Sequence, residues 1–216
     1  MEVKQEVKFD RSQGIGGSDA TRLYEGDWYQ LWSEKVGETQ SADLSNVLPV
    51  QLGSHTESFN IKWFEKQTDR KVYGLQETFY HPKYKYIYAH VDGLIAPNKD
   101  EMQLGVSILE CKHTNAFSNP TKVLDKYIAQ IQHYLMCAAS KRAFVSVIFG
   151  NLKYEAMEVE ANLEFQQKLI AAEVLFWHYV KTKQAPPEMI TWDTFKPIGQ
   201  KLDGKNKELV PLLSRI

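Results

Sequence analysis

The sequence contains little cysteine, no long apolar run and almost no net charge. Its two cysteines among 216 residues are too few for a disulfide framework or for the four thiolates of an iron–sulfur cluster. No apolar run reaches the roughly 18 residues of a membrane helix, and the first residues are charged, so we expect a cytoplasmic protein without a membrane segment. A net charge of −1 argues against a protein that coats nucleic acid through a large basic excess, but permits an enzyme whose acidic site offsets basic residues elsewhere.

The length and composition are typical of one globular domain. Hydrophobic residues make up 43% and charged residues 25% of the chain, as in soluble folds, and a chain of 216 residues can bury a sizeable core. We expect a single domain over residues 1–216, with a short N-terminal arm. An irregular tail is expected over about 185–216, because Pro186 and Pro187 end the last predicted helix.

Hydrophobic periodicity predicts helices and strands in a mixed order. The predicted helices are a short one capped by Ser18, then Trp28–Val36, Val50–Gln67, Lys122–Ala139 and Leu163–Lys181. The predicted strands are Val72–Leu75, Thr78–Tyr80, Tyr86–Val91, Val106–Lys112, Phe144–Phe149 and Lys153–Val159. This order predicts an α/β fold with a central mixed β-sheet flanked by helices.

Two neighbouring predicted strands carry ionisable residues at their ends. Asp92 follows one strand, and Glu110 and Lys112 lie in the next, on the same face as the apolar Val106 and Ile108. A buried charge costs several kcal/mol unless it is paired or binds a metal. Phosphodiester hydrolysis supplies a reason for such a site, because carboxylates hold a divalent cation and a lysine positions or deprotonates the attacking water. The alternative is a surface ion pair on an edge strand, worth at most about 1 kcal/mol.

Two predicted helices carry polar residues within apolar stripes. Glu57 shares a stripe with Ile61 and Phe64, which places its carboxylate either inside, as a third acidic ligand, or at the edge of the stripe in water. Gln130 and Tyr134 share one face of a later helix. The Gln130 amide can bind an active-site group or a phosphate oxygen, and it is equally consistent with an amide at the boundary of the core.

A glycine-rich turn at Gly14–Ser18 leads into the first predicted helix. Backbone N–H groups at a helix start suit an anion, and the guanidinium of Arg11 offers a fork for phosphate. The alternative is that the glycines only form a turn and that Ser18 only caps the helix.

Together these motifs resemble the phage lambda-type alkaline exonucleases, or YqaJ-like viral recombinases, of the PD-(D/E)xK, restriction-endonuclease-like superfamily. The resemblance spans about 11–181 and rests on Arg11 with Gly16–Ala20, Gly53 with Glu57, Val91–Gly93, Glu110–Lys112 and Ala129–Tyr134. It implies a restriction-endonuclease-like fold and a Mg²⁺-dependent 5′→3′ exonuclease acting on double-stranded DNA ends, which exposes a 3′ single strand for recombination by strand annealing. It also implies a homotrimer, a single-strand annealing protein as partner, and a phage- or prophage-encoded protein in the bacterial cytoplasm.

The resemblance implies a role for each motif residue. The metal ligands would be Asp92, Glu110, the backbone carbonyl of Cys111 and, for a second ion, Glu57, with Mn²⁺ able to replace Mg²⁺. Lys112 would serve the nucleophilic water. The terminal 5′-phosphate would be held by Arg11, Ser18 and Gln130, with Tyr134 and His90 as supporting residues.

The chain departs from the family pattern next to the first acidic motif. Val91 replaces the proline of the motif. His90 stands where the lambda-type enzyme has a serine near the phosphate, so that contact would be made differently. Two other hypotheses remain: a helicase-associated, RecB-like nuclease, whose Gln-x3-Tyr motif matches Gln130 and Tyr134, and a non-catalytic module that binds DNA ends.

Overall fold

The computed structural model describes residues 10–188 and 190–195. The predicted N-terminal arm, apart from its last residue, and residues 196–216 of the predicted tail lie outside these ranges. In the part of the chain that is described, no helix is long and apolar enough to cross a membrane.

The helices lie close to where periodicity placed them. They are α1 (Gly17–Glu25), α2 (Trp28–Val36), α3 (Leu48–Thr68), α4 (Pro120–Cys137) and α5 (Leu163–Thr182), with short 3-10 helices at Arg11–Gln13, Lys99–Leu104 and Trp192–Thr194. Helix α2 has the predicted bounds. It ends before Gly37, whose φ of 82° is a left-handed conformation that favours glycine.

The start of α1 differs from the prediction. Gly16, and not Ser18, is the N-cap residue, and the Asp19 carboxylate accepts the Gly16 N–H at 2.9 Å. Asp19 occupies the third helical position, from which a carboxylate can reach back to the backbone of the N-cap residue. The Ser18 hydroxyl is therefore not used as a helix cap and lies exposed in the first turn.

The strands form a central sheet and a separate pair. They are β1 (Val72–Tyr73), β2 (Glu77–Tyr80), β3 (Tyr88–Val91), β4 (Gly93–Ile95), β5 (Ser107–Thr114), β6 (Arg142–Phe149) and β7 (Lys153–Glu160). In the described residues the central sheet has the order β1-β4-β5-β6-β7, while β2 pairs with β3. β5 and β6 are parallel and are joined through α4, whereas the other pairs are antiparallel. The predicted α/β fold with a central mixed sheet flanked by helices is confirmed.

Asp92 lies where the chain passes from the small sheet to the central one. β3 ends at Val91, and β4 begins at Gly93 and pairs with β5. The sequence analysis missed β4, because three residues carry too little periodicity to indicate a strand. A Cβ atom on Gly93 would lie 2.4 Å from a methyl group of Val72, so β1 can pack at this distance only against a glycine.

Strand β5 carries the residues of the predicted Glu-x-Lys motif into the core. Its predicted first residue, Val106, lies outside the strand and is 41% exposed, so its placement on the inward face is wrong. Ile108 packs in the larger core cluster, and Glu110, two residues on, contacts α4. Leu109 points the other way, into a smaller cluster that includes Phe64 of α3. The alternation of the strand therefore places Glu110 on the face covered by α4.

Candidate active site

The carboxylate of Asp92 is fixed against the backbone of β5. Its Oδ2 accepts the Cys111 N–H at 2.7 Å. The register that pairs Gly93 with Leu109 brings Asp92 to this position, beside the strand that carries Glu110 and Lys112. A junction between two sheets thus places one acidic residue next to the predicted Glu-x-Lys motif.

Glu110 is a buried carboxylate, only 4% exposed. Its Oε1 accepts hydrogen bonds from the ammonium of Lys112 at 2.6 Å and from Nε2 of Gln130 at 2.9 Å. Its Oε2 is buried and has no hydrogen-bond partner. A buried, unpartnered oxygen costs about 1–3 kcal/mol, more when it is charged, and a bound cation would remove that cost. The ion pair of Glu110 and Lys112 therefore lies in the interior of the protein. This excludes the alternative interpretation of these residues as a surface ion pair on an edge strand.

Lys112 is held as an ammonium between Glu110 and α4. Its Nζ lies 3.3 Å from Oε1 of Gln130 and 4.3 Å from the ring centroid of Tyr127. Burial alone would lower the pKa of Lys112, but the adjacent Glu110 carboxylate outweighs burial and raises that pKa above its usual value. Lys112 is therefore a charged hydrogen-bond donor in this arrangement.

Gln130 and Tyr134 connect α4 to this ion pair. The Gln130 Nε2 donates both to Glu110 Oε1 and to the Tyr134 hydroxyl at 2.8 Å, and its Oε1 accepts from Lys112. Both side chains of α4 are buried. The amide thus bonds to the side chains of both Glu110 and Lys112, the two residues of the predicted Glu-x-Lys motif. Its contact with a phosphate stays a prediction.

Glu57, Asp92 and Glu110 are electrostatic neighbours. Burial raises the pKa of Asp92 well above its usual value, and the charges of Glu110 and Glu57 add to the rise. Burial likewise raises the pKa of Glu57, and Glu110 contributes. Like charges this close repel one another, and a divalent cation between them would remove the repulsion.

The predicted three-carboxylate metal centre is not gathered around one point. Among the described residues, no three Asp, Glu, His or Cys side chains stand close enough together to enclose a metal ion. Each carboxylate has a different partner: Asp92 binds a backbone N–H, Glu110 binds Lys112 and Gln130, and Glu57 accepts from Gln76 at 2.5 Å. Mutual repulsion favours this separation.

The donor set itself suits a hard cation such as Mg²⁺ or Mn²⁺. It offers carboxylate oxygens, one of them buried and unpartnered on Glu110. Burial and the nearby carboxylates raise the pKa of the Cys111 thiol, so its sulfur stays protonated and is a poor ligand. The fit therefore depends on oxygen atoms, and a role for the backbone carbonyl of Cys111 stays a prediction.

The structure brings the predicted phosphate-binding residues close together. Arg11 donates to the Ser18 hydroxyl at 2.5 Å. A Cβ atom on Gly17 would lie 2.4 Å from the ring of Tyr134 and 2.8 Å from Cγ of Gln130, so the start of α1 is packed directly on α4. Glycine at this position allows the Arg11–Ser18 pair to approach the residues that bind Glu110.

Two residues that support this site were missed by the sequence analysis. The ammonium of Lys35 binds the carbonyl oxygens of Arg11 and Gly14, at 2.6 and 2.8 Å, and the Asp19 carboxylate at 2.7 Å. Asn60 donates to the carbonyl oxygen of Lys112 at 3.2 Å and is itself buried on α3. A usable signal existed for Asn60, a polar residue within the apolar stripe of a helix. Lys35 had no such signal, because its partners are distant in sequence.

The comparison with known families follows the predicted motifs. Residues 8–141, more than half of the chain, match the YqaJ-like viral recombinase domain. The chain belongs to this family. It is 31% identical over 185 residues to a protein of Bacillus subtilis (strain 168) described only as uncharacterized protein YqaJ. That match covers 81% of this chain but 56% of the relative, so the chain spans little more than half of the relative's length.

Solved structures share the fold of this family member. The alkaline exonuclease LHK-Exo of Laribacter hongkongensis superposes with a TM-score of 0.61 at 14% identity, over 81% of this chain and 91% of that one. Its complex with dAMP gives 0.63 at 15% identity with the same coverage. A phage-related exonuclease of Haemophilus somnus 129PT gives 0.54 at 10% identity, over 85% and 91%. At these identities the likeness concerns the fold, and it confirms the predicted fold class.

Proposed function

We propose that this protein is a divalent-cation-dependent exonuclease that degrades one strand of linear double-stranded DNA from its 5′ end. The observation that carries the proposal is the Glu110 carboxylate, which binds Lys112 and Gln130 through one oxygen and leaves the other buried and unpartnered. Asp92 lies beside it, at the junction between β3 and β4, and bonds to the backbone of Cys111. A buried carboxylate with a spare oxygen, a second carboxylate and an ammonium is the equipment of metal-assisted phosphodiester hydrolysis.

Each residue then has a defined task. Asp92, Glu110 and the Cys111 carbonyl would hold a Mg²⁺ ion, for which Mn²⁺ could substitute, and Glu57 would serve a second ion. Bound there, the cation supplies Lewis-acid chemistry and makes water a stronger acid. The Lys112 ammonium can donate a hydrogen bond to the attacking water or to a phosphate oxygen. Gln130 holds the side chains of Glu110 and Lys112 in place through its hydrogen bonds to both.

The proposal extends to the DNA end and to the partners of the reaction. Arg11 and Ser18 offer a guanidinium and a hydroxyl beside α4, which suits a terminal 5′-phosphate held together with Gln130. The exposed 3′ strand would pass to a single-strand annealing protein, and a homotrimer would keep the duplex threaded. What supports these partners is membership of a viral recombinase family.

Digestion of end-labelled linear DNA tests the function. We expect mononucleotides to be released from the 5′ ends in Mg²⁺ or Mn²⁺, and no release in Ca²⁺ or in chelator. Covalently closed circular DNA is the control and should remain intact. Release from 3′ ends or cuts in the circle would favour a RecB-like relative instead. End binding without any hydrolysis would favour a non-catalytic module.

Arg11→Ala is expected to erase most of the preference for a 5′-phosphate. In the unmodified protein, duplexes with a 5′-phosphate should be degraded at least about tenfold faster than duplexes with a 5′-hydroxyl, since a hydrogen bond to a charged group contributes about 1.5–3 kcal/mol. Rates on both substrates measure the ratio. Arg11→Lys, which keeps the charge without the two-pronged guanidinium, should give an intermediate ratio.

Gln13→Ala is the matched control for this prediction. Gln13 is exposed in the same short 3-10 helix as Arg11, and its side-chain amide bonds to the near neighbours Ser12 and Asp10. The Gln13→Ala variant should prefer a 5′-phosphate as strongly as the unmodified protein does. A full preference in Arg11→Ala would show that the Gly14–Ser18 segment is a turn and helix start without a phosphate site.

A further inference from the structure

A chain of polar side chains runs from Glu57 to the hairpin formed by β2 and β3. Gln76 donates from Nε2 to Glu57 Oε1 at 2.5 Å. The Nε2 of His90 lies 2.6 Å from Gln76 Oε1, and the Nδ1 of His90 lies 2.9 Å from the Thr78 hydroxyl. Thr78 and His90 stand directly opposite each other in the antiparallel register of the pair. The hairpin that leads into Asp92 is thus tied to the carboxylate on α3.

The chemistry of each group sets the direction of these hydrogen bonds. Gln76 uses its amino group for the carboxylate, so its carbonyl oxygen must accept. The Nε2 of His90 therefore carries a hydrogen and donates it, and Nδ1 accepts from the hydroxyl of Thr78. The three hydrogen bonds are mutually consistent, and their direction runs from Thr78 through His90 to Gln76 and Glu57.

The backbone of Gln76 has a left-handed conformation. Its φ of 58° is left-handed, a conformation disfavoured for residues with a side chain. The other described non-glycine residues with positive φ are Asp69, Ala139 and Lys183, which lie at or just after the ends of α3, α4 and α5. Gln76 lies instead in the turn between β1 and β2, where no helix end explains it.

We propose that Gln76 and His90 are positioning residues that fix the Glu57 carboxylate, the ligand proposed above for a second cation. Glu57 has a long, flexible side chain, and the charge of Glu110 repels it, so without a tether it would turn toward solvent. Gln76 fixes one of its oxygens, and His90 fixes Gln76. The inference rests on the proposed function, because it assigns these residues to the cation site of that function.

Two asparagine variants and one glutamine variant test the tether. Gln76→Asn keeps an amide and a residue type that tolerates positive φ, but it is one methylene too short to reach Glu57. His90→Gln places an amide near the position of Nε2 and keeps the contact with Gln76. His90→Asn places its amide near the position of Nδ1 and loses that contact. The pair of His90 variants separates the tether from a mere loss of the imidazole ring.

Binding of Mn²⁺ is measured by calorimetry and by electron paramagnetic resonance, without any turnover. We expect Gln76→Asn and His90→Asn to weaken binding of the lower-affinity Mn²⁺ ion by about tenfold, the usual scale for residues that orient a ligand. The affinity of His90→Gln for this ion should stay within about twofold of that of the unmodified protein. Gln76→Asn should cause no further loss in a Glu57→Gln background, because both changes remove one interaction. Gln76, Thr78 and His90 are exposed, so the melting temperature should change little.

The outcomes separate this inference from the function on which it rests. If the unmodified protein bound no Mn²⁺, both would be overturned. Unmodified protein that binds Mn²⁺ while Gln76→Asn binds it equally or more tightly would overturn the tether alone. Losses that add up fully in the Glu57→Gln background would also overturn it, because Gln76 would then act elsewhere. Weaker binding in Gln76→Asn with His90→Gln unaffected supports it.

Discussion

Replacing Asp92 with asparagine is expected to abolish DNA degradation while leaving the fold intact. The asparagine oxygen can still accept the Cys111 N–H, but the residue no longer supplies a negative charge for the cation. Metal ions contribute several kcal/mol to such hydrolyses, so a loss of at least about a thousandfold is expected. The rate of nucleotide release from linear duplex DNA in Mg²⁺ measures it.

The same variant is expected to be more stable than the unmodified protein in chelator at neutral pH. Burial and the charge of Glu110 raise the pKa of Asp92, so the folded state binds this proton more tightly than the unfolded state does. The raised pKa therefore costs folding free energy at neutral pH, and this cost decreases as the pH falls from the raised pKa to the ordinary pKa of an aspartate. Each kcal/mol of this cost that the substitution removes should raise the melting temperature by about 2–4 °C.

Asp125→Asn is the matched control for both effects. Asp125 is exposed on α4, the helix that also carries Gln130, and its loss should change neither activity nor melting temperature. Undiminished DNA degradation by Asp92→Asn would show that the active site has been assigned to the wrong residues.

Lys112→Gln is expected to slow hydrolysis by at least about a hundredfold, the usual scale for a group that assists proton transfer. Glutamine keeps a donor for the Glu110 carboxylate, whereas alanine would leave a buried charge with one partner fewer and cost about 3–5 kcal/mol of stability. The affinity for DNA ends in Ca²⁺ should stay close to that of the unmodified protein. Single-turnover rates in Mg²⁺ and end binding in Ca²⁺ separate the two effects.

Lys126→Ala serves as the comparison for Lys112. Both ammonium groups contact the ring of Tyr127, at 4.3 Å for Lys112 and 5.2 Å for Lys126, but Lys126 is exposed. The single-turnover rate of the Lys126→Ala variant should equal that of the unmodified protein. A Lys112 variant that lost DNA affinity strongly while its single-turnover rate hardly changed would make Lys112 a phosphate contact with no part in the chemical step.

Much of the architecture was determined by local sequence. Helix α2 could be predicted to its last residue because glycine at Gly37 is the residue that best adopts the left-handed conformation at a helix end. The period-2 alternation of β5 is enough to place Glu110 and Lys112 on one face of the strand. The motif order pointed to the family that residues 8–141 match. These features depend on residues that are close in sequence, which is why the sequence alone determined them.

Other features were decided by tertiary contacts. Strand β4 is defined by its pairing with β1 on one side and β5 on the other. The predicted cluster of three carboxylates is spread over separate partners instead of converging on one point.

The chemistry of the site depended on the same long-range packing. The contact of Glu110 with Gln130 joins residues 20 apart in sequence, and the hydrogen bond from Gln76 to Glu57 joins residues 19 apart. The other oxygen of Glu110 is buried without a hydrogen-bond partner. A sequence pattern states which groups are available, but burial and distance select the partner of each group. The sequence by itself therefore determined the family, most of the elements and the set of acidic and basic groups, and the tertiary structure alone decided which of these groups are buried, paired or left without a partner.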